Sequence, residues 1–184
     1  MKRSSFMLFV LVLCGLVINK ISAQDMNTNM DKSPSLIAKL VADDLQGSAK
    51  KIMDLADAMP AEDYNWRPMD GVRSVAEVYV HIAMSNYFIL SYLGSPMPQG
   101  FDQNAEKKMT DKKDIMNFLK QSFDDAQKFL AGYGDTDYDT VVELPFGKFT
   151  KEQVLMLAAS HAHEHLGQSI AYARTNHITP PWSK

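Results

Sequence analysis

Cysteine occurs once in the 184 residues, at Cys14. It sits in an apolar amino-terminal run, Phe6 to Ile18, which follows Lys2 and Arg3 and precedes Ile21-Ser22-Ala23. A short basic start, a hydrophobic centre and a small residue at the cut are the layout of a secretory signal peptide. Residues 1–23 are therefore expected to be removed after Ala23 and the protein exported, periplasmic or secreted. The run is shorter than the ~20 apolar residues that span a bilayer comfortably, and Leu13 stands where lipid attachment to Cys14 would want a small residue. The mature chain then has no cysteine, which excludes a disulfide framework, a thiolate nucleophile and thiolate metal ligands together. Any metal must be held by nitrogen and oxygen.

Dense positive charge is also missing. Without Lys2, Arg3 and Lys20 the 19 basic residues fall to 16 against 22 acidic ones, a net charge of −6 with histidines neutral. No cluster of Lys and Arg is dense enough to release many counterions from a phosphate backbone, so nucleic acid is not an expected partner. The Lys107-Lys108 and Lys112-Lys113 pairs alternate with acids and read as solvated helix surface. A serine elbow and a phosphate-cradling glycine loop are absent as well. Membrane contact is not expected after signal cleavage.

What the chain does have is helical periodicity. Residues 24–32 are polar and aperiodic, a flexible leader. The domain expected over 33–184 is large enough to bury a core without staples. Ser33-Pro34 reads as a cap with proline at the first helical position, followed by a seam of Leu36, Leu40, Asp44/Leu45, Ile52, Leu55 and Met59 that Pro60 ends. Ser74 caps a second helix, with Glu77 completing a capping box and Val75, Val78, Ile82, Ser85, Ile89 and Tyr92 along its buried side. Thr110-Asp111 opens a third, through Ile115, Phe118, Leu119, Ser122, Phe123, Ala126 and Leu130, closed by Gly132 and Gly134. Thr150 caps a fourth, Val154 to about Thr175, beyond which Pro180-Pro181 forbids continuation. Val141 to Leu144 reads as a short extended piece before a turn at Phe146-Gly147-Lys148, and no sheet is expected. The predicted fold is all-α, a four-helix bundle.

Three of the five histidines fall within five positions, at His161, His163 and His165. On a helix His161 and His165 share one face and His163 points away. Val154, Ala158, His161, His165, Gln168 and Tyr172 recur at steps of four and three, so the pair is predicted to face inward. Each buried polar group left unpaired costs about 1–3 kcal/mol. Either a metal ion or hydrogen bonds within a polar core can satisfy the pair, and spacing leaves both open. Bundles build metal sites from facing helices, which makes His81 the natural third ligand. The segment is not His-Glu-x-x-His, so a zincin base is not indicated. Glu77, one turn before His81, has a capping role and, as the alternative, a role as fourth metal ligand or as acceptor for an imidazole N–H. Trp66, Arg67 and Arg73 can approach the mouth of such a site, although packing and surface charge explain them equally. His163 and His177 read as surface.

Asp63-Tyr64-Asn65-Trp66-Arg67-Pro68, Val72-Arg73-Ser74-Val75-Ala76-Glu77 and His81-Ile82-Ala83 resemble the second-helix region of the DinB-like bacterial proteins. His161 through Gln168, then Tyr172-Ala173-Arg174 and Pro180-Pro181-Trp182-Ser183, are similar to that family's closing helix and tail. The resemblance covers roughly residues 33–184. It implies a four-helix bundle with a divalent metal, most often zinc or nickel, held by three histidines, at positions matched here by His81, His161 and His165. The family includes thiol-dependent S-transferases and isomerases in which the metal activates a thiolate; the export signal is this chain's departure from that cytoplasmic chemistry. The expectation is an exported metal-binding bundle, a metal-dependent enzyme of hydrolase or thiol S-transferase type on a small substrate. The alternative is a non-catalytic metal-binding or interaction module, a homodimer through an outer helical face.

Overall fold

The computed structural model describes residues 34–134 and 137–183. The expected signal peptide, its cleavage point and the leader lie outside the described residues. Five α-helices are described: α1 (Leu36–Ala58), α2 (Val75–Ser91), α3 (Ala105–Lys108), α4 (Lys112–Ala131) and α5 (Lys151–Thr175). The four long ones form the bundle, and α3 is a single turn inside the connection from α2 to α4. Both α1 and α2 pack against α4 and α5, so consecutive helices α1 and α2 stand on one diagonal and α4 and α5 on the other. Among the described residues no helix is long and apolar enough to cross a membrane.

Local chemistry sets the helix ends. Ser35, not Ser33, caps α1, accepting the Ala38 N–H, so Pro34 lies before the cap rather than at the first helical position. Lys112 at the start of α4 donates to the Asp57 and Met59 carbonyls, two of the groups that α1's end leaves unpaired. Ser74 and Glu77 form the expected capping box, and Thr150 and Gln153 form a second one on α5. His177 takes φ 60 just past α5, where Ile178 N–H reaches back to the Ala173 carbonyl; this is a Schellman closure with histidine in the place glycine usually takes.

Two further expectations are corrected. Leu36 and Leu40 are 72% and 58% exposed, and the inward side of α1 is Ala38, Val41, Leu45, Ser48, Ala49, Ile52, Leu55 and Ala56. The first turn of α1 presents its small Ala38 rather than its leucines. The extended piece is half of a hairpin: β1 (Val141–Leu144) pairs antiparallel with β2 (Gly147–Thr150), turning at Pro145-Phe146. Thr150 ends β2 and also caps α5, so the hairpin feeds directly into the helix that carries two of the histidines.

The core is continuous and mostly aliphatic, with Leu45, Ile52, Leu55, Ile82, Leu90, Ile115, Leu119, Leu130 and Leu155 fully buried. Each such side chain contributes about 1.5–3 kcal/mol by leaving water. α2 is buried nearly all round, because α3 and a short 3-10 turn (Ala61–Asn65) cover it in addition to α4 and α5.

Candidate metal centre

His81 comes from the second turn of α2, and His161 and His165 come from one face of α5, as their four-residue spacing requires. The α2–α5 packing brings them together. His161 Nε2 lies 3.2 Å from His81 Nε2 and 3.2 Å from His165 Nε2. One ligand nitrogen from each of the three falls within 4.8 Å of the others. His165 is buried and the other two are partly exposed. His163 points away, its Nε2 2.9 Å from Asp44 Oδ2, and His177 is exposed.

The outward nitrogens are held from behind. His165 Nδ1 is 2.7 Å from Gln168 Oε1, Gln168 Nε2 donates to Tyr172 Oη at 3.0 Å, and Tyr172 Oη donates to the Arg73 carbonyl at 3.1 Å. That direction of donation makes His165 Nδ1 the protonated nitrogen and leaves Nε2 bare. On the other side His81 Nδ1 is 3.2 Å from Glu106 Oε2, and Glu106 Oε1 accepts from Arg73 Nε at 2.9 Å. A carboxylate can only accept, so His81 also carries its proton on Nδ1 and has a bare Nε2. Trp66 meets the Tyr172 ring edge-on at 5.3 Å, which buttresses this wall.

With two Nε2 lone pairs fixed, a neutral His161 has at most one proton to offer two nitrogens. With that proton on Nε2 one of the two 3.2 Å contacts is left with no hydrogen in it, and with the proton on Nδ1 both are. Adding a proton does not resolve this. Burial first, and then the charges of Arg73 and His165, pull His81 down to about 4 in spite of Glu106. Burial and the neighbouring imidazoles and Arg73 pull His161 down to about 3. A metal cation satisfies all three lone pairs at once, and two nitrogens bound to one ion at about 2.0–2.1 Å with a tetrahedral angle stand about 3.3–3.4 Å apart. The two 3.2 Å pairs match that spacing, and the three ligand nitrogens together lie within 4.8 Å of one another.

Of the other residues weighed from sequence, Glu77 is a cap: its Oε2 accepts the Ser74 N–H at 2.8 Å. It also meets Arg67 at 3.2 Å and Lys107 at 2.8 Å. The acid beside the imidazole is Glu106, on α3, which the sequence reading missed. Nothing in its local pattern, an acid within a charged connection, marks it. Arg67 and Arg73, with Lys107, Glu106 and Gln168, line a cavity of about 520 Å³, joined to the histidines through Glu106 and Gln168, which contact His81 and His165. The loop that carries both arginines is closed by Val75 N–H to the Trp66 carbonyl and by Arg67 Nη1 to the Val72 carbonyl, and it turns at Gly71 with φ +82.

A family model described as the DinB superfamily matches residues 44–169. Among solved structures the chain is similar to a DinB-like protein from Bacillus cereus, at TM-score 0.63 and 20% identity over 75% of this chain and 93% of that one. It is similar to YjoA, a DinB-like protein from Bacillus subtilis, at 0.62 and 20% over 76% and 94%. A third is YfiT from Bacillus subtilis, described as a probable metal-dependent hydrolase with an unusual four-helix bundle topology, at 0.61 and 18% over 77% and 89%. No curated protein matches the chain. At these identities the structural likeness establishes the fold.

Proposed function

Because this chain belongs to the DinB superfamily, we propose that His81, His161 and His165 together hold one divalent metal ion, zinc or nickel, and that the protein is an exported metal-dependent enzyme acting on a small molecule. The observation that carries this reading is the convergence of three Nε2 atoms, two pairs at 3.2 Å, with the Nδ1 atoms of His81 and His165 tied outward. Support for the reaction class comes from YfiT, whose description is of a probable metal-dependent hydrolase. Support for export comes from the Lys2-Arg3, Phe6–Ile18 and Ala23 pattern.

Bound there, the ion would supply Lewis-acid activation of a water or a thiol. The protein's own part is to orient and to expose. Glu106 and Gln168 fix two rings with their bare nitrogens inward, as outer partners of metal-binding histidines do. The low affinity of His81 and His161 for protons keeps those nitrogens free at neutral pH. Three protein ligands, two of them partly exposed, leave a coordination position for a further ligand, which is the pattern of catalytic rather than closed structural sites.

The test is elemental analysis of the purified protein and its His161→Ala and His163→Ala variants. One equivalent of metal is expected in the parent and in the His163 variant, with loss in the His161 variant. Unchanged stoichiometry in His161→Ala would remove the ligand assignment.

A further inference from the structure

The cavity beside the histidines has a charge opposite to that of the chain. The whole sequence is net negative, with 22 acidic against 19 basic residues, yet Arg67, Arg73 and Lys107 all line this one space. Two carboxylates, Glu77 and Glu106, face these three cations. The local sum is one positive charge, and a divalent ion on the histidines would raise it to three.

The cations retain hydrogen-bonding capacity. Arg73 donates to Glu106 through Nε, at one side of the guanidinium, which leaves its two Nη groups as donors. Arg67 spends Nη1 on the Val72 carbonyl and on Glu77, and Lys107 spends one of three N–H groups on Glu77. Both arginine side chains are more than a third exposed. At about 520 Å³ the space falls in the range of small-molecule pockets, about 300–1,000 Å³. Its wall is shared with the metal centre: Glu106 and Gln168 line the cavity and also hold His81 and His165.

We propose that this cavity is an oxyanion mouth: the substrate is a small molecule with a carboxylate or phosphate group that Arg73 and Arg67 bind, with Lys107 at the rim, while its reacting end lies toward the histidines. The proposal rests on the metal-centre reading for the reaction but not for the anion contact, since the cations are in place without the ion. Arginine suits the task, because its planar fork matches the paired oxygens of a carboxylate or phosphate. A cationic pocket on an anionic protein also concentrates such ligands locally.

The experiment titrates acetate, succinate and inorganic phosphate, with acetamide as the uncharged control, into the full chain with and without one equivalent of zinc, measuring heat of binding and zinc content on the same samples. At least one anion is expected to bind at least ten-fold more tightly than acetamide, and whether a carboxylate or phosphate does so identifies the group. Arg73→Gln and Arg67→Gln are expected to weaken it about ten-fold each; Lys107→Gln, being more exposed, about two- to three-fold. Should Arg73→Gln disturb zinc through Glu106, Arg67→Gln and Lys107→Gln decide, because neither residue touches a group bonded to a histidine. Anions that bind no better than acetamide overturn the proposal. So does anion binding that all three variants keep at parent strength, which would place the anion on the metal alone. Arginine-dependent anion binding by a protein that takes up no zinc would remove the metal reading and leave the mouth standing.

Discussion

Glu106 Oε2 stands 3.2 Å from Nδ1 of His81, a residue 25 positions earlier in the chain. It arrives there on α3, the single helical turn that the α2–α4 connection lays across α2. The same carboxylate holds Arg73, so one acid fixes a proposed ligand and a cavity cation together.

Glu106→Gln is accordingly expected to weaken metal binding by about ten- to a hundred-fold, the usual range when the outer partner of a metal-binding histidine is lost. Competition with a chromophoric chelator measures it. Glu77→Ala is the comparison: it removes half a capping box and should lower stability by about 1 kcal/mol while leaving metal affinity within a few-fold.

The depressed His81 and His161 values predict an acid-sensitive fold in the metal-free protein. Both imidazoles are neutral in the fold down to about pH 4 and about pH 3, whereas in the unfolded chain they take up protons below about 6.5. Between those limits the unfolded state binds more protons, so stability is full above pH 6.5 and declines as pH falls toward 4 and then 3. Thermal melts from pH 8 to pH 4 should show this decline, and the His81→Gln/His161→Gln double variant should show a shallower one. Equal slopes would mean that the two rings are not held neutral.

Removing metal should leave the bundle folded. The core holds many buried aliphatic side chains that do not depend on the histidines, so an ion contributes stability only through its binding equilibrium, about 2.7 kcal/mol at a hundred-fold excess over Kd. Chelator treatment is expected to preserve the far-ultraviolet circular dichroism, lower Tm and leave the hydrodynamic size unchanged. Collapse of the helical signal, or a halving of size, would instead favour a structural metal or a metal-held dimer.

The corrected inward face of α1 makes a stability prediction. Leu45→Ala should cost about 2–5 kcal/mol, since Leu45 is fully buried, whereas Leu36→Lys and Leu40→Lys should change stability by no more than about 0.5 kcal/mol. Chemical denaturation of the three variants distinguishes the two faces.

The sequence alone determined the local features: where α2, α4 and α5 begin, through Ser74, Asp111 and Thr150, and that His161 and His165 share a face while His163 leaves it. These follow from hydrogen bonds and spacing within a few residues, which a linear reading contains. It could not determine which side of α1 turns inward, because leucines at 36 and 40 fit a seam as well as Ala38 and Val41 do, and packing against α4 and α5 selected the latter. Nor could it find Glu106, or show that Arg67, Arg73 and Lys107 share one cavity. Those residues sit in connections, and only the diagonal pairing of α1 with α2 and the fold of α3 over α2 bring residues so distant in sequence within hydrogen-bonding reach of one another.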